Sequence, residues 1–378
     1  MARRAHGEGS IYQRRDGRWT AYLRDGYKNG KPHKKYVYGA TQREVRKKLE
    51  SLKRDLAQGL PVDFERQTVG QFLDRWLVDV VRSRVRPKTY ESYEMHIRRH
   101  LKPQLGHHQL TKLAPDHVQA MMNEQLASGL SPRTANYTRS ILRSALNQAV
   151  RWGHVARNVA KLTDPARERR TEVRPLTPEQ ARAFLDAARG HRLEALFTVA
   201  LAIGLRQGEA LGLRWEDVDL DAGLLRVRHT LQKLEGEWQF VETKTERSRR
   251  TINLPPVSVT ALREHRLRQD QERSIAGPKW GNFNLVFPSS RGTPLDGSNV
   301  THRLQRLLEE SRLPRQRFHD LRHCCASLLL VQKVPMRVVM EILGHSQIAL
   351  TMNLYSHVMP ALEHEAARLM DEILTTGR

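Results

Sequence analysis

Apolar residues change their spacing along this chain, and each change marks a different kind of structure. From Ser10 to Gly39, SIYQRRDGRWTAYLRDGYKNGKPHKKYVYG alternates apolar or aromatic with polar positions, the period of a half-buried strand. Asp16-Gly17 and Asn29-Gly30 are tight-turn signals, so the stretch predicts a three-stranded antiparallel sheet. The period then lengthens. Val45, Leu49, Leu52 and Leu56 recur at helical spacing behind a capping box of Thr41 and Glu44, with Gly59 as the predicted stop. LPVDFERQ reads as a linker.

Helical spacing dominates the next hundred or so residues. Thr68 and Gln71 repeat the capping box before FLDRWLVDVV, Pro87 and Lys88 open TYESYEMHIRRHLKPQLG, and Ser131-Pro132 opens RTANYTRSILRSALNQAVRWG. With PDHVQAMMNEQLASG between them, these predict a compact all-α domain. DPARERRTEVRP, residues 164–175, has charge, two prolines and no apolar period, and reads as a connector. Thr177-Pro178-Glu179-Gln180 starts another capped helix. An apolar helix through LFTVALAIGL is expected to run into GLRQGEAL, and strands are expected around Asp221-Ala222-Gly223 and through QFVETKTERSRRTINL. From Val257 onward the spacing is mostly helical, with a strand-like Leu285-Val286-Phe287; no internal repeat or low-complexity tract occurs. The pattern predicts a multidomain α+β fold: a three-stranded sheet plus helix at 1–60, an all-α domain at 66–162, and a mainly α domain with a small antiparallel sheet at 173–378.

Composition narrows the function classes. Of 378 residues, 39% are hydrophobic, as in a soluble globular protein, and no apolar run suggests a membrane span or signal peptide, so a cytoplasmic location is expected. The two cysteines, Cys324 and Cys325, are adjacent, which suits neither a stapling disulfide nor CxxC metal spacing; they read as small apolar residues of a reduced protein. Charge is more informative: 64 Lys and Arg against 41 Asp and Glu leave +23, pointing to a polyanion and first to nucleic acid. Residues 1–60 carry 16 basic and 6 acidic side chains, residues 61–170 carry 19 and 10, and residues 171–378 carry 29 and 25. The first two segments thus read as DNA grips, and the small basic sheet could enter a groove; an SH3-like protein-binding module fits that charge less well.

Several polar residues of the third segment stand where periodicity does not ask for them. Arg206 and Glu209 in GLRQGEAL are three apart and share a helix face, which by itself suits a local ion pair. His319 and Arg322 in FHDLRH share a face at the lip of a helix whose CCASLLLV must be buried. LGH ends a helix at His345, and Lys244 falls near a hairpin turn. Tyr355 is the single tyrosine after Tyr137; a lone tyrosine is ordinarily a core residue with its hydroxyl tied to a neighbour. His323, His357 and His364 lie near His319 and His345 in sequence, but without HExxH, an acidic triad or a Cys ligand they predict no metal site.

Taken in order, Arg206, Lys244, HDLRH, LGHSQI and LYSHV resemble the tyrosine recombinase family, the phage integrases, along the whole chain. The resemblance implies an arm-type DNA-binding domain at 1–60, a helical core-binding (SAM-like) domain at 66–162 and a catalytic domain at 173–378. It implies that Tyr355 is the nucleophile, that Arg206 and Arg322 clamp the scissile phosphate, that Lys244, His319 and His345 complete the catalytic set, and that Glu209 supports the first arginine. Lys233 lies just before the Lys244 hairpin and is the alternative lysine. The implied reaction is site-specific recombination through a 3′-phosphotyrosyl intermediate, integrating or excising a mobile element, with no cofactor and no metal. The implied partners are double-stranded DNA attachment sites, a homotetramer, a host DNA-bending protein and an excision factor. These roles agree with elementary chemistry. Guanidiniums stay charged and pair bidentately with phosphate oxygens, His319 is a candidate base, and Lys244 is a candidate acid for the leaving 5′ oxygen. A type IB topoisomerase-like strand passer and a DNA-binding regulator without activity are the alternatives. The C-terminal run at Leu362, Ala366, Leu369 and Ile373 is an apolar helical stripe that could dock on its own domain or, as the resemblance favours, on a neighbouring protomer.

Overall fold

The computed structural model describes residues 9–28, 31–57, 67–168, 174–242 and 249–344, with 367–368, 370–371 and 374–375. The Asn29-Gly30 turn, the stop at Gly59, most of LPVDFERQ and the apolar positions of the C-terminal stripe lie outside these residues. The chain divides into two compact units, Met1–Arg170 and Thr171–Arg378, and the division falls inside the proline- and charge-rich connector.

In the first unit, β1 (Ser10–Gln13), β2 (Trp19–Lys28) and β3 (Lys31–Gly39) form an antiparallel sheet in that order. Lys28 pairs with Lys31, the register a two-residue hairpin demands. Helix α1 (Gln42–Ala57) lays Val45, Leu49 and Leu52 onto Ala21 and Leu23, as its spacing predicts. The Thr41 cap differs in one respect: its hydroxyl accepts the Glu44 N–H, but the Glu44 carboxylate returns to the N–H of Ala40, one residue early, while also holding Lys48 at 2.6 Å. On the other face Tyr12, Tyr36 and Tyr38 are exposed, and the Lys34 ammonium lies 4.9 Å from the Tyr22 ring centre.

The helical part follows its predicted caps. Thr68 and Gln71 make the full reciprocal box at the start of α2 (Val69–Trp76), which passes through a π-helical turn at Leu77–Val81 into α3 (Arg82–Arg84). A second such turn, Ile97–Leu101, joins α4 (Pro87–His96) to α5 (Lys102–Leu105). These two wide turns are not visible in the apolar spacing. Helices α6 (Pro115–Ala127) and α7 (Pro132–Arg151) close the core around Phe72, Leu73, Leu101, Met121 and Leu142. The Ser131 hydroxyl caps α7 by accepting the Thr134 N–H.

In the second unit α8 (Pro178–Ala188) begins at the Thr177 capping box, and α9 (Glu194–Ile203) is buried on nearly every side, as an all-apolar helix must be. Here the expected continuous helix breaks. Gly204 adopts a left-handed φ of +64° that ends α9, and α10 (Gln207–Leu211) is a separate short helix. Arg206 is therefore not on the face of the apolar helix; it is the extended residue before α10, and Glu209 is that helix's third residue. Strands β4 (Val218–Asp219), β5 (Leu224–Val227) and β8 (Arg250–Asn253) form one antiparallel sheet, while β6 (His229–Leu234) and β7 (Glu237–Glu242) form a hairpin. Helices α11 (Pro256–Ala276), α12 (Gly297–Glu310), α13 (Phe318–Val331) and α14 (Met336–Leu343) follow. The strand-like Leu285-Val286-Phe287 is buried but makes only an isolated bridge, Leu285 to Arg214. Among the described residues no helix is long and apolar enough to cross a membrane.

Candidate functional site

Helix α14 stops at Gly344, whose left-handed φ of +64° turns the chain and leaves the last carbonyls of the helix without intrahelical donors. Three arginines from three other elements supply them. Arg250 of β8 donates from Nε to the Ile342 carbonyl at 2.7 Å, Arg322 of α13 donates to the Leu343 carbonyl, and Arg206 donates to the Gly344 carbonyl at 3.1 Å. Cations at this end also complement the negative end of the α14 dipole.

Arg322 is the most deeply buried of the three. Its side chain is 1% exposed, and its other arm donates to the Gly204 carbonyl at 2.8 Å, so one guanidinium ties the end of α9 to the end of α14. It does not sit at the lip of its helix as the sequence suggests. Phe318, Leu321 and Cys324 pack into the main core and Cys325, Ala326 and Leu330 into the cluster with α14, so Arg322 is enclosed between them. Burial, then the positive charges of Arg206 and Arg250, push its pKa down to about 9, which leaves it cationic at neutral pH.

Glu209 is 2% exposed, and an isolated carboxylate so buried would be costly. It is instead held by two cations. Its Oε1 accepts from Arg206 Nη1 at 2.6 Å, and its Oε2 accepts from the Arg206 backbone N–H and from Arg250 Nη2, each at 3.0 Å. Burial raises the Glu209 pKa, but the charge and hydrogen bonds of Arg250, followed by those of Arg206, outweigh it and hold the carboxyl below its ordinary range. Arg206 keeps 36% of its side chain exposed, so it is the cation of this group that can still meet an incoming anion.

His319 lies one position into α13, with its ring edge-on to His323 at 5.0 Å between centres. Partial desolvation on its buried side, then the positive influence of His323 and Arg322, lowers its pKa to about 4, although the residue as a whole is exposed. The imidazole is thus neutral at pH 7. Behind it Asp320 is occupied by Arg317, whose Nε and Nη2 both donate to it at 2.9 Å, and by the Arg317 backbone N–H.

The structure thus brings Arg206, Glu209, Arg322 and His319 together. Lys244, His345 and Tyr355 lie outside the described residues, as do His357 and His364. Lys244 falls in the stretch between β7 and β8, and His345 follows Gly344 directly in the chain. Lys233 is exposed on β6, its ammonium 5.8 Å from the Trp238 ring centre. Arg250 is a residue that the sequence reading passed over. The signal was present: alternation along β8 puts Arg250 on the same face as buried Ile252, and a charge on the apolar face of a strand needs a partner. Cys324 and Cys325 are buried free thiols, and burial pushes their pKa values up to about 11 and about 12. Among the described residues no cluster of His, Cys, Asp and Glu has the makings of a metal site.

Arg206, Arg250 and Arg322 gather around the buried Glu209 and the end of α14 beside a neutral histidine, a cationic cluster in which Arg206 is the guanidinium open to an incoming anion, carried on a mainly helical unit with small antiparallel sheets. Residues 174–361 match the phage integrase family, and residues 68–126 match its N-terminal SAM-like domain. The chain is 32% identical over 364 residues to a tyrosine recombinase XerC-like protein of Caldanaerobacter subterraneus subsp. tengcongensis, covering 91% of this chain and 93% of that one. It is 32% identical over 389 residues to an integrase of Streptomyces ambofaciens, covering 99% and 98%. Among solved structures it is similar to the Tn1549 transposon integrase in complex with transposon right end DNA, with a TM-score of 0.69 and 23% identity over 80% of this chain and 99% of that one. A lambda integrase tetramer bound to a Holliday junction matches with a TM-score of 0.57 and 21% identity over 93% and 96%. The chain belongs to the phage integrase family, the tyrosine recombinases, and is an enzyme of DNA strand cleavage and rejoining.

Proposed function

We propose that the protein is a site-specific integrase that recombines DNA attachment sites of a mobile element through a 3′-phosphotyrosyl intermediate. The observation that carries this reading is the placement of Arg206 and Arg322 on the successive carbonyls of Gly344 and Leu343, directly before His345 and the run to Tyr355. A phosphodiester repels nucleophiles, and charge grows on its non-bridging oxygens as it is attacked, so fixed cations aimed at those oxygens lower the barrier.

In the proposed reaction the Tyr355 oxygen forms a bond to the scissile phosphorus, and the bond from phosphorus to the 5′ oxygen breaks. His319, neutral in the free site, accepts the phenol proton; the approaching phosphate raises its basicity. Lys244 gives a proton to the leaving 5′ oxygen, and His345 donates a hydrogen bond to the phosphate. The phosphotyrosyl link conserves the bond energy, so a 5′ hydroxyl from a second duplex reverses the step without a nucleotide cofactor. Two such exchanges in a homotetramer, by way of a Holliday junction, complete recombination. Residues 1–60 act as the arm-binding domain and 66–162 as the core-binding domain, each gripping DNA with its excess positive charge. A host bending protein and an excision factor are the accessory partners that the family resemblance implies.

The test is a nicked duplex spanning the attachment site beside the protein's own gene, incubated with protein in EDTA and run on a denaturing gel. A covalent protein–DNA adduct from the wild type, absent with Tyr355→Phe, is the expected result. Cleavage that requires Mg²⁺ or survives Tyr355→Phe would mean a nuclease.

A further inference from the structure

Glu209 faces two cations but can neutralise only one. Arg250 approaches it with Nη2 at 3.0 Å from Oε2 and Nη1 at 3.4 Å from Oε1, and its side chain is 7% exposed. Arg206, on the other side of the same carboxylate, is the exposed partner. We propose that Arg250 is a positioning residue of the recombinase site, neutralising Glu209 so that the charge of Arg206 remains available to the scissile phosphate. The proposal rests on the cleavage reaction set out above.

The geometry gives this residue two tasks that an apolar side chain cannot perform. First, with Arg250 in place the group of two guanidiniums and one carboxylate has a net charge of one, and the exposed cation carries it. Without Arg250 the carboxylate's full charge falls on Arg206, its other cationic partner among the described residues, and an incoming phosphate must compete with Glu209 for the same guanidinium. Second, the Arg250 Nε–Ile342 bond ties β8 to the end of α14, one residue before the Leu343 carbonyl that Arg322 holds and two before the Gly344 carbonyl that Arg206 holds. Because β8 begins just after the stretch containing Lys244, Arg250 also joins that strand to the turn leading to His345.

Adduct formation on the nicked attachment duplex, at saturating protein and in single turnover, separates these tasks from packing. Wild type must form the adduct; if it does not, the recombinase reading itself fails, which is a different result from any that follows. Arg250→Met, checked for folding by circular dichroism, is expected to bind the duplex with little change but to cleave about 100-fold more slowly, the size of effect that follows loss of one preorganised electrostatic group. Adding Glu209→Gln to Arg250→Met removes the charge that Arg250 had offset and is expected to recover at least about tenfold of the rate. Arg250→Lys keeps the charge with a single donor centre and is expected to fall between wild type and Arg250→Met. A folded Arg250→Met that cleaves at the wild-type rate overturns the proposal, and so does a double variant no faster than Arg250→Met. Should Arg250→Met fail to fold, the double variant, which leaves no unpaired buried carboxylate, is compared instead with Glu209→Gln alone and with Arg250→Lys. There, a double variant matching Glu209→Gln supports the charge role, and Arg250→Lys as fast as wild type overturns the need for the fork.

Discussion

Gly204 is the point where the apolar helix α9 ends and the site begins, and replacing it with alanine tests how tightly the two are joined. The residue has φ of +64°, which a residue with a Cβ occupies at a cost of about 1–2 kcal/mol. A Cβ there would also overlap Leu343 Cδ2, well inside ordinary carbon contact, in a cluster where Leu343 is fully buried. Overpacking of that kind adds about 1–3 kcal/mol, for a total of about 2–5 kcal/mol. Gly190→Ala supplies the control. It has φ of +72° with nothing within 4 Å of the new Cβ, so it carries the backbone cost alone. Both positions are in the second unit, of about 200 residues, where 1 kcal/mol moves Tm by about 2–4 °C. Urea and thermal unfolding should therefore put Gly204→Ala below Gly190→Ala by about 1–3 kcal/mol, or about 2–12 °C. Because the Leu343 carbonyl holds Arg322, Gly204→Ala should also slow adduct formation where Gly190→Ala does not. Equal stability of the two variants within about 0.5 kcal/mol, or an unimpaired cleavage rate in Gly204→Ala, would refute the reasoning, since Leu343 would then have been free to move.

Arg322→Lys keeps a charge but cannot reach both the Gly204 and Leu343 carbonyls. One buried acceptor is left unpaired at a cost of about 1–3 kcal/mol, and cleavage should fall by about 10²–10³, read from the melting curve and the adduct assay respectively. His319 should titrate by NMR near pH 4 in the free protein and at higher pH once attachment-site DNA is bound; an unchanged value on binding would remove it from the phosphate's neighbourhood. The sign for stability follows from the same shift. With the folded pKa near 4 and the unfolded value near 6.5, the contribution of His319 is full above pH 6.5 and is lost as pH falls toward 4, so His319→Gln should flatten the acid limb of the stability profile. Cys324 and Cys325, buried with thiol pKa values near 11 and 12, should resist alkylation at pH 8 in the native protein and react only after denaturation.

Local chemistry was legible in the sequence because its partners lie within a few residues. The boxes at Thr68–Gln71 and Thr177–Gln180 form as their spacing predicts, and so do the three-stranded sheet and the stripe of α1, since backbone groups at a helix start or a tight turn are satisfied by near neighbours. The order of Arg206, HDLRH, LGHSQI and LYSHV was enough to point to the family, because each motif is short and contiguous. The spacing of Arg206 and Glu209 correctly paired them but assigned them to the wrong helix. What Glu209 meets on its far side, the buried Arg250, is 41 residues away, and no periodicity carries that information. The burial of Arg322, and the capping of three successive carbonyls by arginines that come from 21, 92 and 138 residues away, were decided only by tertiary structure. A helix that ends inside a core must find donors for its last carbonyls. Its own sequence states that need, but only packing determines which distant side chains meet it.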